Sequence, residues 1–312
     1  MNKLNQDFYN LTDIIKSQSL EEIYLRIKNK YLTVPEHIKS AIESFFDKFP
    51  YWGRINSNEG IYEELYNRSR TLKEHLNDIV WLYEELGDYR SKKLLLSIIR
   101  NWYDFDFNGL GSSYEQNYSH YFDLDLVKCD KEEVIVDLGA YTGDTILDYL
   151  NCYGSNCYKK IYCYEITDES FEILKNNLSQ FPNIIFKKKA AINENKDLYF
   201  NVSKVDNSAN MIDENGEIKV EGVSIDNDIN EKITMIKMDI EGSEKKALIG
   251  SKNHIMSETP KLLISIYHGH NDLVEIPRLI KEINHNYNFY LRYYGNHIFP
   301  TEIVLLAIPS TL

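Results

Sequence analysis

The sequence predicts an α/β protein in which an all-helical N-terminal domain precedes a mostly parallel sheet that closes with an antiparallel hairpin. Two observations predict this organisation. From Val134 onward, short apolar runs typical of buried strands alternate with segments that carry apolar residues at helical spacing. In the first hundred residues apolar side chains recur at helical spacing alone, over residues 20–31, 34–49, 60–86 and 89–103.

A segment rich in glycine, serine and aspartate, residues 103–113, lies between these two parts. We therefore predict a helical domain over residues 1–112 and a second domain over residues 113–312. The strands predicted in the second domain are 134–138, 161–164, 184–188, 234–239 and 261–267, with an antiparallel pair at 196–202 and 218–223 and a closing hairpin at 289–294 and 302–308. Helices are predicted at 170–181 and 273–285.

The chain turns at the end of the first predicted strand, over the sequence Asp-Leu-Gly-Ala-Tyr-Thr-Gly that begins at Asp137. Its two glycines allow the backbone to turn tightly and to approach a ligand. The helix that begins at Asp144 presents unpaired N–H groups. However, the middle glycine of the dinucleotide fingerprint is missing, and Asp144 would repel a phosphate. The turn therefore favours S-adenosylmethionine, a cationic ligand, over NAD, and a turn with a purely structural role is the alternative.

Composition and charge narrow the class of protein. The 312 residues carry a formal net charge of −13, which argues against a nucleic-acid groove and against binding to an anionic membrane. The N-terminus lacks the apolar core of a signal peptide, and no apolar run approaches the length of a membrane span. The four cysteines lack C-x-x-C spacing and have no histidine among them, which favours reduced thiols over a zinc site. We predict a cytoplasmic protein.

Three positions at the carboxyl ends of predicted strands supply candidate chemistry, because ligands of open α/β sheets bind at that edge. Glu165, 22 residues beyond Gly143, is placed to accept hydrogen bonds from a ribose diol. Asp239 follows an apolar strand, so its carboxylate requires a compensating amine, sulfonium, hydroxyl or metal. His268 follows the next strand, and histidine exchanges a proton near neutral pH. A solvated carboxylate at Glu165 and a structural histidine at His268 are the alternatives.

These motifs together resemble the FkbM family of S-adenosylmethionine-dependent methyltransferases. The resemblance rests on the segments 136–145, 164–165, 236–244, 260–268 and 290–292, and it covers roughly residues 120–308. It implies a class I methyltransferase sheet of seven strands with an antiparallel last strand. It also implies transfer to a hydroxyl oxygen, since members often act on sugars of surface polysaccharides or on macrolide-type natural products.

The resemblance further implies roles for individual residues. The glycine turn would border the methionine part of the cofactor, Glu165 would hold the ribose, and two alanines after the third strand would flank the adenine. Asp239, Glu241 and His268 would face the transferred methyl group, with His268 the first candidate for the general base and Asp239 the second. The predicted cofactor-binding residues are Asp137, Gly139, Ala140, Tyr141, Gly143, Asp144, Glu165, Ile166, Ala190, Ala191 and Asp239. The predicted acceptor-binding residues are Tyr121, Glu241, Tyr267 and Arg292.

Several of these assignments have a second interpretation. Arg292 either binds an anionic group of the acceptor or forms a structural ion pair. Asp239 and Glu241 would hold a divalent metal only with further ligands, and we predict no metal. The aromatic residues of the linker, among them Tyr121, either pack between the domains or cover the acceptor pocket.

The methyl acceptor has no signature of its own in the sequence. Its pocket would be formed by the linker, the stretch 206–211 and the helical domain. The Asn/Asp-Pro-Pro-aromatic tetrapeptide of amino-group methylation is absent, which together with the acidic charge favours a small-molecule or glycan hydroxyl. A nitrogen or phosphoryl acceptor is an alternative, as are two other classes, an NAD-dependent oxidoreductase and a non-catalytic binding module. The sequence is compatible with a homodimer.

Overall fold

The computed structural model describes residues 2–200, 216 and 218–310. The chain divides into two compact units. The first unit comprises Met1–Glu115, Ile266–Arg278 and Phe289–Leu305. The second unit comprises Gln116–Ser265, Leu279–Asn288 and Leu306–Leu312.

Helices and one short hairpin form the N-terminal part of the first unit. In chain order they are α1 (Lys3–Ser17), α2 (Leu20–Leu32), α3 (Glu36–Lys48), β1 (Ile55–Asn56), β2 (Ile61–Tyr62), α4 (Glu63–Glu74), α5 (Leu76–Glu85), α6 (Tyr89–Asp104) and α7 (Phe107–Gly111). Ser19 and Glu22 form a capping box at the start of α2, and the Asp88 side chain caps α6. The apolar stripes that predicted these helices are buried, as Ile23 and Ile27 of α2 illustrate.

The segment 60–86 was predicted as a single helix, and this prediction is wrong. It begins with a strand, because β1 and β2 pair as an antiparallel hairpin whose turn is held by the Asn56 side chain. α4 and α5 are separated by His75, which leaves helical geometry with a ψ of 18° and whose ring bonds to Asp78. The predicted linker at 103–113 also contains a short helix, α7.

The rest of the chain alternates strands and helices. In order the elements are β3 (Val134–Leu138), α8 (Asp144–Tyr153), β4 (Lys160–Tyr164), α9 (Asp168–Leu178), β5 (Ile184–Lys187), β6 (Lys189–Ala191), β7 (Lys196–Phe200), β8 (Ile218–Val223), α10 (Ile225–Asp228), β9 (Met235–Met238), α11 (Glu244–Gly250), α12 (Lys252–Glu258), β10 (Lys261–Ser265), α13 (Asp272–Ile283), β11 (Tyr287–Tyr293) and β12 (Ile303–Pro309). Every strand predicted from an apolar run is present, with its ends displaced by up to two residues.

The main sheet has seven strands in the order β11-β12-β10-β9-β3-β4-β5. β3 lies between β4 and β9 and is parallel to both, β5 is parallel to β4, and β10 is parallel to β9. All residues of β3, β9 and β10 are buried, as expected for strands of a parallel sheet covered on both faces. The predicted fold class, a mostly parallel sheet with antiparallel strands and a helical N-terminal region, is confirmed.

A smaller sheet of three strands, in the order β6-β8-β7, follows β5. β7 pairs with β8 in antiparallel register, which confirms the pair predicted at 196–202 and 218–223 over the described residues. β6 runs parallel to β8 and brings Ala190 and Ala191 into a buried position. The stretch 206–211, predicted to contribute to the acceptor pocket, lies outside the described residues.

Two features bear on the inferences from composition. Among the helices of the described residues, none is both long and apolar enough to cross a membrane. The cysteines at positions 129, 152, 157 and 163 are free thiols, and Cys163 is buried in β4.

Candidate active site

The glycine turn lies directly on the end of the neighbouring strand. The amides of Gly139 and Ala140 both donate to the carbonyl oxygen of Tyr164, at 3.1 and 2.9 Å, which fixes the turn to the end of β4. Gly139 has a φ of +77°, and a Cβ there would lie 1.8 Å from the carbonyl oxygen of Asp239. Only glycine satisfies both constraints. The turn and the first residue after β9 are therefore in backbone contact.

Glu165 is held in one orientation at the end of β4. Its side chain is buried, and Oε1 accepts hydrogen bonds from the backbone amide and the hydroxyl of Thr167, both at 2.8 Å. Oε2 accepts the Tyr141 amide at 3.0 Å. An amide of the glycine turn thus points at a carboxylate instead of being available to a phosphate.

A buried ion pair joins the strands on either side of this turn. Asp137 of β3 and Lys237 of β9 are register partners, and Lys237 Nζ lies 3.1 Å from Asp137 Oδ1. The same ammonium donates to the carbonyl oxygen of Gly139 at 2.8 Å. Burial raises the pKa of Asp137 to about 6, the nearby ammonium lowers it, and the carboxylates of Asp144 and Asp239 raise it further. Lys237 therefore connects a buried acid to the backbone of the turn.

Asp239 is hydrogen-bonded to the linker that precedes β3. The Tyr121 hydroxyl donates to Asp239 Oδ2 at 2.7 Å and lies 2.9 Å from the hydroxyl of Ser265. Since the phenol proton is used for Asp239, the Ser265 hydroxyl donates to Tyr121. The ring of His120 stacks on that of Tyr121 at 4.1 Å, and burial lowers the pKa of His120 to about 4. Tyr121, predicted to bind the acceptor, thus also orients Asp239.

The remaining predicted residues of the second unit lie in its turns, in a short strand and at the start of a helix. Asp144 is the first residue of α8, directly after Gly143, whose φ is +86°. Glu241, with a φ of 52°, is in the turn between β9 and α11. Ile166 packs against the core cluster that contains Ala190. Ala190, predicted to flank the adenine, is therefore part of a buried apolar cluster against which Ile166 packs.

Three predicted residues belong to the first unit. The main-chain oxygen of Tyr267 accepts a hydrogen bond from Trp52 Nε1 at 2.8 Å, and the Tyr267 ring lies 4.4 Å from the ring of His268. His268 is buried, with 7% of its surface exposed. Arg292 is also buried and donates to Asp88 at 2.8 Å, to Ser91 and to a main-chain oxygen. These contacts correspond to the ion-pair interpretation of Arg292.

Several residues of the site were not identified from the sequence. Lys237, Ser265, Thr167 and His120 all contact predicted site residues, but they were not singled out. A signal existed for Lys237, since a lysine inside an apolar strand requires a buried partner. The partner, Asp137, lies in a strand that is equally apolar.

A parallel sheet whose first strand leads into an acid-lined glycine turn and whose second strand ends at a buried glutamate has the arrangement of a nucleotide-binding α/β fold. Residues 137–291 match the protein family described as the Methyltransferase FkbM domain. This part of the chain is therefore similar to FkbM methyltransferase domains.

Solved structures with similarity to this chain include two methyltransferases. The methyltransferase FkbM of Methylobacillus flagellatus KT is similar to this chain with a TM-score of 0.65 and 23% identity, over 77% of this chain and 62% of the other. The chain thus spans less than two thirds of that protein, and the similarity supports the fold alone. An rRNA methylase of Streptococcus thermophilus matches with a TM-score of 0.39 and 13% identity, over 58% of this chain and 89% of the other. None of the curated proteins compared with the chain matches it.

Proposed function

We propose that the protein transfers the methyl group of S-adenosylmethionine to a hydroxyl oxygen of a sugar, such as a precursor of a surface polysaccharide. The observation that carries the choice of methyl donor is the acidic lining of the glycine turn. Asp144 and Asp239 are near enough to Asp137 to raise its pKa, and Glu165 bonds to an amide of the turn. Such a group of carboxylates attracts a ligand with a sulfonium and an amine, and it repels a pyrophosphate.

The side chains around the turn fit the separate parts of this cofactor. Gly139 and Gly143 adopt positive φ angles that let the backbone turn tightly at the end of β3, where the methionine part is proposed to lie. Glu165 is fixed by the Thr167 and Tyr141 hydrogen bonds, so its carboxylate is preorganised to accept a ribose hydroxyl. The half-buried Ile166, which packs against the cluster of Ala190, suits contact with an adenine ring.

The NAD alternative is less well supported by the same geometry. A dinucleotide site uses the amides of its glycine turn to bind a pyrophosphate. Here the Tyr141 amide donates to Glu165, and Asp144 occupies the first position of the helix that follows. A pyrophosphate in this position would meet two carboxylates.

When bound, S-adenosylmethionine supplies an electrophilic methyl group, so the residues of the protein mainly have to position the acceptor. Alignment of reacting groups contributes up to about 7–11 kcal/mol in favourable cases. Removal of the hydroxyl proton by a general base adds about 10²–10⁴-fold. We propose His268 as this base, because it follows a strand of the sheet and an imidazole exchanges a proton near neutral pH. Asp239, oriented by Tyr121, is the second candidate.

The acceptor class follows from chemistry and charge. A net charge of −13 disfavours nucleic acid and other polyanions as acceptors. Hydroxyl acceptors require a base and an orienting surface, and both Asp239 and His268 are suited to take a proton. A neutral sugar hydroxyl is therefore the acceptor that we propose.

Transfer of a labelled methyl group tests this proposal directly. The full-length protein is incubated with methyl-labelled S-adenosylmethionine and a panel of nucleotide sugars and oligosaccharides, and NAD is tested in parallel as a thermal-shift ligand. We expect label in at least one sugar and an increase in melting temperature with S-adenosylmethionine alone, since ligands stabilise the state that binds them. Stabilisation by NAD, or label found only on nitrogen or phosphoryl acceptors, would contradict the proposal.

Replacement of Glu165 by alanine is expected to weaken S-adenosylmethionine binding about 10–100-fold, because hydrogen bonds to a charged group contribute about 1.5–3 kcal/mol. Isothermal titration calorimetry measures the change. Glu172→Ala on α9 is the matched control, since that carboxylate is largely exposed and pairs only with Lys175 among the contacts described. Unchanged affinity in the Glu165 variant would refute the ribose assignment.

A further inference from the structure

A second polar group is buried in the first unit, away from the glycine turn in sequence, at the bottom of an aromatic pocket. Glu64 and Arg68 of α4 are 0% and 2% exposed, respectively. Glu64 Oε1 accepts hydrogen bonds from Arg68 Nε at 2.8 Å and lies 2.7 Å from Arg68 Nη2. His270 Nε2 lies 2.9 Å from the same oxygen. One carboxylate oxygen thus receives all three contacts.

The other atoms of this pair have no hydrogen-bond partner among the described residues. Glu64 Oε2 and Arg68 Nη1 are both buried and both unpartnered. Leaving a buried acceptor and a buried donor unsatisfied costs free energy, about 1–3 kcal/mol for each neutral group and more for charged groups. Both residues line the pocket. A ligand group that reaches these two atoms would meet one hydrogen-bond donor and one acceptor.

The walls of the pocket are aromatic. Phe45, Trp52, Trp102 and Phe299 line it, and the half-buried Tyr267 lies among the lining residues. The pocket and its open mouth enclose about 370 Å³, of which about 20 Å³ has room for the centre of a water-sized sphere. A cavity of this size admits only a hydroxyl-bearing edge, so the ring of a sugar would remain at the mouth against the aromatic side chains.

The charges at the bottom of the pocket select among polar ligands. Burial acts to raise the pKa of Glu64, but the charges and hydrogen bonds of Arg68 and His270 outweigh it and the pKa is lowered. Glu64 is thus ionised and its charge offsets that of Arg68. An anionic group would be repelled by Glu64 Oε2. An ammonium group carries no acceptor and could not receive the Arg68 N–H. A neutral diol satisfies both atoms, since a hydroxyl donates and accepts.

We propose that this pocket binds a neutral pyranose, with two adjacent hydroxyls on Glu64 and Arg68 and an apolar ring face against the aromatic walls. The proposal rests on the proposed function in taking this sugar to be part of the methyl acceptor. The pocket would select an uncharged sugar, whereas the net charge of the protein only disfavours polyanions. Tyr267, which lines the pocket, is the residue directly before His268 in the chain.

Saturation-transfer NMR and calorimetry on the full-length protein test the proposal without any cofactor. The probes are methyl β-galactopyranoside, methyl α-mannopyranoside and methyl β-glucuronide. We expect at least one neutral hexoside to bind, and the glucuronide to bind at least about tenfold more weakly. Glu64→Gln and Arg68→Met should each weaken the neutral sugar about tenfold or more. Absence of binding by both neutral hexosides, or equal binding by Glu64→Gln, would overturn the proposal.

Controls separate loss of binding from loss of folding. Glu74→Gln and Arg70→Met alter the exposed ion pair of the same helix and should bind sugar as the wild type does. If a variant of the buried pair does not fold, Phe45→Leu at the half-buried edge of the pocket replaces it, and undiminished binding there would also contradict the proposal. Sugar binding that depends on Glu64 without methyl transfer would refute the proposed function and leave the pocket established. Methyl transfer to a sugar that is unchanged in the Glu64→Gln variant would refute the pocket and leave the proposed function in place.

Discussion

Replacing Lys237 with methionine is expected to destabilise the protein by about 3–5 kcal/mol. The substitution removes one member of a buried ion pair and leaves Asp137, which is 0% exposed, without the ammonium that lies 3.1 Å away. It also removes the hydrogen bond to the carbonyl oxygen of Gly139. Urea unfolding of the two proteins at pH 7 measures the difference. The turn should loosen in parallel, so cofactor affinity should fall even where the variant is fully folded.

The pH dependence of this effect has a definite direction. The pKa of Asp137 is raised from 3.8 to about 6 in the folded protein, so the folded state binds more protons than the unfolded chain between those values. The contribution of Asp137 to stability therefore decreases as the pH rises from about 4 to about 6, and it is constant above that. Without Lys237 the pKa rises further, because the charge that lowers it is gone. The loss of stability caused by Lys237→Met should thus be larger at pH 8 than at pH 5.

Two comparisons make the result interpretable. Lys175→Met removes an exposed lysine that pairs with Glu172, and it should change stability by less than about 1 kcal/mol. Asp137→Asn combined with Lys237→Met removes both charges and should recover much of the loss, since no uncompensated charge stays buried. A Lys237 variant that is as stable as the wild type, or a loss that is equal at pH 5 and pH 8, would show that the pair does not stabilise this turn.

The central strands and the glycine turn are the parts of the fold that the sequence determines locally. β3, β9 and β10 are buried along their whole length and consist mostly of apolar residues, a composition typical of strands buried on both faces. Gly139 and Gly143 both adopt positive φ angles, as a tight turn between a strand and a helix requires. Glu165 could be placed at a strand end because its neighbours in sequence define where β4 stops.

The contacts that complete the candidate site depend on residues far apart in the chain. Lys237 meets Asp137 only because β9 pairs with β3 in one register, which periodicity does not specify. Tyr121 reaches Asp239 across 118 positions. Glu64 meets His270 across 206 positions, and the sequence around α4 shows only an amphipathic helix. Such pairs are fixed by tertiary packing, so the individual side chains could be suspected from the sequence and their partners could not.

The break at His75 is a local feature that hydrophobic periodicity does not reveal. The apolar spacing of α4 and α5 is continuous enough to predict one helix, but the backbone leaves helical geometry at His75, whose ring contacts Asp78. The hairpin β1-β2 was missed for a similar reason, since each of its strands has two residues and neither shows a periodic pattern. Short elements held by side-chain hydrogen bonds leave little trace in hydrophobic periodicity.

Replacing His268 with alanine is expected to lower the rate of methyl transfer about 10²–10⁴-fold while S-adenosylmethionine binds as before. If the imidazole takes the proton of the acceptor hydroxyl, its loss affects the chemical step and not the binding of the donor. Single-turnover transfer of a labelled methyl group at saturating donor measures the rate, and calorimetry measures donor affinity. His285→Ala is the matched control, since His285 is exposed on the loop after α13.

The pH profile distinguishes a base from a positioning role for His268. A histidine base makes the wild-type rate rise with pH as the imidazole loses its proton, and this rise should disappear in the His268 variant. If that variant instead keeps full activity, Asp239 is the remaining candidate, and Asp239→Asn should then abolish transfer. Tyr121→Phe helps to separate the two candidates. The phenol hydroxyl donates to Asp239 at 2.7 Å, and among the contacts described it has none with His268. A large loss in Tyr121→Phe with an unchanged His268→Ala variant would transfer the role of base to Asp239.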